Sequence, residues 1–179
     1  MIAVLDACVL YPTVLRQILL GCGEAGLFTP IWSDRLAEEW IRAAARNGGP
    51  ADEQIARAEA AEADRRFPAA RVAPGDSAAL WLPDPADIHV LATAIAARAD
   101  MIVTLNLKDF PARELGAHGL AARAPDPVLM DLWLDTPDPV EAIVRGVQAE
   151  AERLSGHAQP LRPLLKRARL PRLGKALAS

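Results

Sequence analysis

Residues 84–111 read DPADIHVLATAIAARADMIVTLNLKDFP, and this stretch decides the fold. Leu82-Pro83-Asp84-Pro85 opens a helix, because proline fits a first turn whose backbone N–H groups lack intrahelical partners anyway. Ile88, Leu91 and Ile95 then recur at helical spacing and form its apolar stripe. Met101-Ile102-Val103-Thr104 follows as an apolar run without polar alternation, the pattern of a strand covered on both faces. The start of the chain supplies a companion: Ile2-Ala3-Val4-Leu5 is a second short apolar run, ended by Asp6. Short buried strands separated by helices indicate an α/β layer fold with a central, mostly parallel sheet.

The remaining segments fit around this frame. Pro12 opens a helix that carries Leu15, Ile18, Leu19 and Cys22, and Ser33 is the N-cap of another with Leu36, Trp40 and Ala44 on one face. Asn47-Gly48-Gly49-Pro50 breaks the helical pattern, and the Ala-rich residues 51–66 resume it. Short strands are expected at Arg71-Val72-Ala73 and near Leu120-Ala121-Ala122. Beyond Pro125 only helices are expected, over 126–134, 138–155 and within 160–178. The predicted organisation is therefore an α/β unit over 1–125 and a helical extension over 126–179.

Composition narrows the class of function. Of 179 residues, 51% are hydrophobic, enough for a substantial core, while 4% are aromatic, too few for binding single strands mainly by base stacking. No apolar run approaches the ~20 residues that span a bilayer, and Met1–Arg16 lacks the basic start of a secretory signal. Two cysteines, Cys8 and Cys22, in no metal-binding spacing make a reducing cytoplasm the expected compartment. The net charge of −3 hides an asymmetry, since residues 160–179 carry six basic side chains and no acid. Such a basic tail is either a solvated helix or a contact for nucleic acid or a partner. Dinucleotide, nucleoside-triphosphate and serine-hydrolase signatures are missing from the sequence.

Ligands of open parallel sheets sit at the carboxyl ends of the strands. Asp6 ends one strand and Asp109 lies five residues past another, while Glu38, Glu39, Asp84 and Asp87 stand near helix N-termini. Carboxylates gathered in one cleft repel each other unless a cation neutralises them, and oxygen donors without His or Cys select Mg²⁺ or Mn²⁺ over zinc. Each acid also has a plain structural reading. Asp6 and Asp109 could cap turns or helices, Asp84 and Asp87 could serve a helix N-terminus, and one of Glu38 and Glu39 must face solvent.

The joint order of these acids resembles the PIN-domain nucleases, and among them the VapC-type toxins of bacterial toxin–antitoxin pairs. IAVLDACVLYP (2–12) is similar to that family's first strand and leading acid, and WSDRLAEEWIR (32–42) to its helix bearing a Glu before a bulky apolar residue. Residues 84–111 resemble its acid, apolar strand and T-x-[D/N]-x-x-D-F run. The resemblance covers about residues 1–125 and implies a three-layer PIN-like fold. It also implies metal-dependent hydrolysis of RNA phosphodiesters, with Asp6, Asp87 and Asp109 holding Mg²⁺ or Mn²⁺ and Glu39 orienting or deprotonating the attacking water or helping to hold a second ion. Asn106 stands where many relatives carry Asp, so Asn106 and Asp109 both remain candidates for the fourth position. A cognate antitoxin and a homodimer are implied as well. The alternative is a PIN-fold module of weak or lost activity that binds RNA or protein. Arg16, Arg42 and Arg46 are candidate basic residues at the rim of the cleft.

Overall fold

The computed structural model describes residues 1–178; Ser179, the last residue of the expected extension, lies outside the described residues. Four parallel strands form one sheet: β1 (Ile2–Leu5), β2 (Thr29–Ile31), β3 (Met101–Val103) and β4 (Ala121–Arg123), in the order β2-β1-β3-β4. Val4 lies opposite Ile102 and Leu5 opposite Val103, so β1 and β3 end level with each other. From β1 the chain crosses to one side to make β2 and later to the other to make β3. The switch point of the sheet therefore lies between the carboxyl ends of β1 and β3, where open α/β sheets bind their ligands.

Two short segments depart from expectation. Strand β2 is absent from the sequence reading, because Pro30 sits in its middle. Proline donates no ladder hydrogen bond and is tolerated only at an edge, which is where β2 lies. Arg71-Val72-Ala73 is not a strand but a single parallel bridge between Arg71 and Trp32.

The helices are α1 (Ala7–Leu10), α2 (Thr13–Glu24), α3 (Asp34–Arg66), α4 (Ile88–Ala96) and α5 (Ala112–Gly116). They are followed by α6 (Pro125–Asp135), α7 (Pro137–Ser155), α8 (Leu161–Arg167) and α9 (Pro171–Ala176). Ser33 caps α3 as expected, its Oγ accepting from the Leu36 N–H at 3.3 Å. The break at 47–50 becomes a kink inside α3: Gly49 takes φ 74° and ψ −161°, and Pro50 restarts the helix. A positive φ of this kind is readily adopted only by glycine.

The helices after Pro125 share one apolar cluster with the sheet. Val128, Leu129, Val140, Val144 and Leu165 are buried together with Val4, Leu19 and Ile102. Helices α2 and α7 approach so closely that a Cβ on Gly21 would lie 2.6 Å from Ile143 Cγ2. Asp126, only 6% exposed, accepts the backbone N–H groups of Arg172 (2.9 Å) and Leu173 (3.1 Å), the otherwise unpaired donors of the first turn of α9. Among the described residues no helix is long and apolar enough to cross a membrane.

Candidate functional site

Asp6 leaves β1 at the switch point, with its N–H bonded to Val103 O at 3.1 Å, and is 6% exposed. Although it occupies the N-cap position of α1, its side chain makes no capping bond. Its Oδ2 instead accepts from Thr104 Oγ1 at 2.7 Å and from Cys8 Sγ at 3.1 Å. Thr104 Oγ1 in turn accepts from the Asn106 N–H at 3.0 Å. Burial, and then the charge on Asp6, push the Cys8 thiol up to about 12, so it stays protonated and able to donate. Asp6 Oδ1 has no hydrogen-bond partner among the described residues.

Asp87 precedes α4 and likewise makes no capping bond. The capping is done by Asp84, whose Oδ1 accepts from the Ala86 N–H at 2.9 Å. Of these acids only Asp84 is engaged by a capping bond; Asp87 stands at the N-terminus of α4 with its side chain uncommitted to the backbone. Burial, followed by the charges of Asp6, Asp84 and Asp109, lifts Asp87 from 3.8 to about 6. Such a shift marks several carboxylates converging on one region.

Glu39 lines the same cleft as Asp6 and Asp87, whereas Glu38 turns to Arg57 and Arg42. Burial pushes the Glu39 carboxyl up, but His89 and Arg35 more than offset it and leave it below the ordinary value. Arg35 Nε donates to Glu39 Oε1 at 3.0 Å. His89 Nε2 is 3.1 Å from the same oxygen, yet the contact lies outside hydrogen-bonding geometry, so both buried ring nitrogens lack a hydrogen-bond partner. Asn106 lines the cleft; Asp109 is not among its lining residues, lies 4.0 Å from Lys108 Nζ and acts on Asp87 through its charge.

The cleft has a volume of ≈ 540 Å³. Basic residues line it too: Arg46 from α3, Arg167 at the end of α8 and Arg169 in the turn that follows. Sequence reasoning found Arg46 there but not Arg167 or Arg169, whose only signal was the charge of the tail. It misplaced two others. Arg16 is buried in an ion pair with Glu59 at 2.7 Å, and Arg42 pairs with Glu38 at 3.6 Å away from the cleft.

Asp6, Glu39 and Asp87, with the amide of Asn106, form an oxygen-only donor set suited to a hard divalent cation. Among the described residues no three acidic, His or Cys side chains are close enough to enclose an ion. An open arrangement still fits Mg²⁺, which keeps several of its waters and takes one or two carboxylates from the protein.

Comparison with known proteins gives the chain its place. The family profile of the PIN domain matches residues 3–108. A Mycobacterium tuberculosis protein named "Putative ribonuclease VapC50" is 39% identical over 61 residues, which cover 34% of this chain. The chain spans about a third, 36%, of that relative's length. No solved structure gives a significant match.

Proposed function

The chain belongs to the PIN-domain family, and from that premise we propose that it is a divalent-metal-dependent endoribonuclease, the toxin of a toxin–antitoxin pair. The observation that carries this reading is the gathering of Asp6, Glu39 and Asp87 in one cleft at the switch point, where burial and then the neighbouring carboxylates lift Asp87 to about 6. The unit responsible is residues 1–125, with 126–179 as a helical extension packed on it.

Asp6 and Asp87 would hold Mg²⁺ or Mn²⁺ directly and Asp109, which does not line the cleft, through water. The bound ion would supply a water of lowered pKa and neutralise charge on the scissile phosphate. Thr104 and Cys8 fix Asp6 by occupying Oδ2, which leaves Oδ1 for the ion. Glu39, which His89 and Arg35 hold below its ordinary value, would orient or deprotonate the attacking water or help hold a second ion. Asn106 offers an uncharged oxygen to a water or a phosphate.

The RNA specificity rests on the relative's name and on family resemblance, the cognate antitoxin and the homodimer on family resemblance, and the cytoplasmic location on the two cysteines in no metal-binding spacing. RNA cleavage with Mn²⁺ or Mg²⁺, comparing wild type with Asp6→Asn and Asp87→Asn, tests the activity. Cleavage by wild type alone is expected, and no cleavage by the folded wild type counts against it. Light scattering at monomer mass would remove the homodimer. A second reading, a PIN-fold binding module of weak activity, is favoured by one observation, the uncharged Asn106 in the cleft. It expects Asp6→Asn to leave Mn²⁺ affinity unchanged, where the nuclease reading expects a sharp loss.

A further inference from the structure

Resting on that nuclease reading, we propose that the active site is composite: Arg169 of the C-terminal extension, with Arg46 of α3, forms a phosphate-binding wall that grips the RNA backbone in the same cleft as the carboxylates.

The placement of Arg169 is specific. It takes φ 64°, in the left-handed region that a side chain of its size rarely enters. The turn that imposes this is closed by Leu170 N–H on Leu165 O at 2.8 Å and Arg169 N–H on Lys166 O at 3.2 Å. Its neighbours on both sides, Ala168 and Leu170, are buried, so the backbone is fixed from within while Arg169 itself stays exposed on the cleft. A few residues on, the buried Asp126 clamps the start of α9. The arginine is therefore presented from a rigid turn rather than a loose tail.

The charge pattern says what this wall receives. Arginines elsewhere on α3, Arg35, Arg42, Arg57 and Arg66, are paired with acids. Arg46 and Arg169 line a cleft that contains three acids, yet among the described residues no ion pair joins either one to Asp6, Glu39 or Asp87. The cations and anions thus line one cleft without neutralising one another. A phosphodiester strand would satisfy both sets of charges at once, with its phosphates on the guanidiniums and its scissile group toward a cation that the carboxylates would hold. Arg167, tied to Gln159 Oε1 at 2.7 Å, shapes the same wall but is already oriented elsewhere.

The test is binding of a labelled single-stranded RNA oligonucleotide at several salt concentrations, in the Asp87→Asn background so that cleavage does not intervene. Arg169→Gln is expected to weaken binding about tenfold. It should also lower the slope of log affinity against log salt by about 0.7, the contribution of one phosphate contact on a single strand. Arg169→Lys should recover most of the slope, and Arg169→Gln with Asp87 intact should bind Mn²⁺ like wild type. Unchanged RNA affinity and slope in Arg169→Gln, with wild type still cleaving RNA, would overturn the composite site and leave the nuclease reading standing. If the Asp87→Asn parent fails to bind RNA and wild type fails to cleave it, both are overturned.

Discussion

Thr104 Oγ1 donates to Asp6 Oδ2 at 2.7 Å, joining the carboxyl ends of the two central strands across the switch point of the sheet. The bond aims the carboxylate: with Oδ2 engaged, only Oδ1 is left for a ligand. Thr104→Val keeps the shape but removes the donor, and it also deprives the Asn106 N–H of its acceptor. It should cost about 1–2 kcal/mol in chemical denaturation. Mn²⁺ affinity should fall at least about tenfold, as is usual when the support of a ligand is removed. Thr104→Ser should restore both, and a Val variant with wild-type Mn²⁺ affinity would show that the bond does not position Asp6.

Asp87 makes the metal-free protein sensitive to pH in a defined direction. Its folded value of about 6 lies above the ordinary 3.8, so between these limits the folded protein retains a proton that the unfolded chain releases. Stability contributed by this group is present below 3.8 and is lost as pH rises through about 6. In a chelator, Asp87→Asn should therefore raise the melting temperature relative to wild type at neutral pH, with the difference shrinking as pH falls through that window. Saturating Mn²⁺ should stabilise wild type and not the variant. Parallel melting curves of the two proteins across the window would contradict the carboxylate crowding.

Much of this site was legible in the chain because its logic is local. An apolar run ended by an acid gives Asp6, and a proline-opened helix before the second buried run gives Asp87. The same local view could not separate capping from ligation. Asp84, Asp87 and Asp6 all occupy capping contexts, and only the hydrogen bonds show that Asp84 alone is spent on the backbone. Strand β2 escaped because its proline contradicts strand propensity, a preference overridden by its place at the edge. Arg169 escaped for a different reason: no sequence spacing relates it to Asp6, and the packing of the last four helices on one another and of α7 on α2 brings them to one cleft.

Arg16 shows the converse, a residue whose charge suggested the surface but whose partners are all internal. It is 3% exposed, pairs with Glu59 at 2.7 Å and lies 4.5 Å from the centre of the Trp40 ring. Its Nη1 also donates to Leu10 O (2.7 Å) and Tyr11 O (3.1 Å), ending the turn that follows Asp6. Two variants rank these contributions. Arg16→Met strands two carbonyls as well as Glu59 and should cost about 3 kcal/mol. Glu59→Gln leaves the guanidinium its two carbonyls and its ring, and partly exposed Glu59 is screened, so about 1–2 kcal/mol is expected. Equal losses in urea unfolding would mean that the ion pair, not the carbonyl bonds, holds this corner.

Asp126 is the residue through which the last helix, α9, is fixed to α6 within the extension. Its buried carboxylate accepts from Arg172 and Leu173, and these bonds replace the N-cap that Leu170 cannot provide. Asp126→Ala should cost about 1–2 kcal/mol, the usual effect of losing a cap. Asp126→Asn keeps one acceptor oxygen and should cost less. Because the clamp lies just beyond Arg169, the Ala variant should also loosen the turn that carries it. RNA affinity should then fall below wild type while Mn²⁺ affinity is unchanged, since none of the candidate ligands belongs to this segment. Hydrogen exchange at Leu173 locates the effect: its amide should lose protection in the Ala variant, and retained protection with weakened RNA binding would place the defect elsewhere.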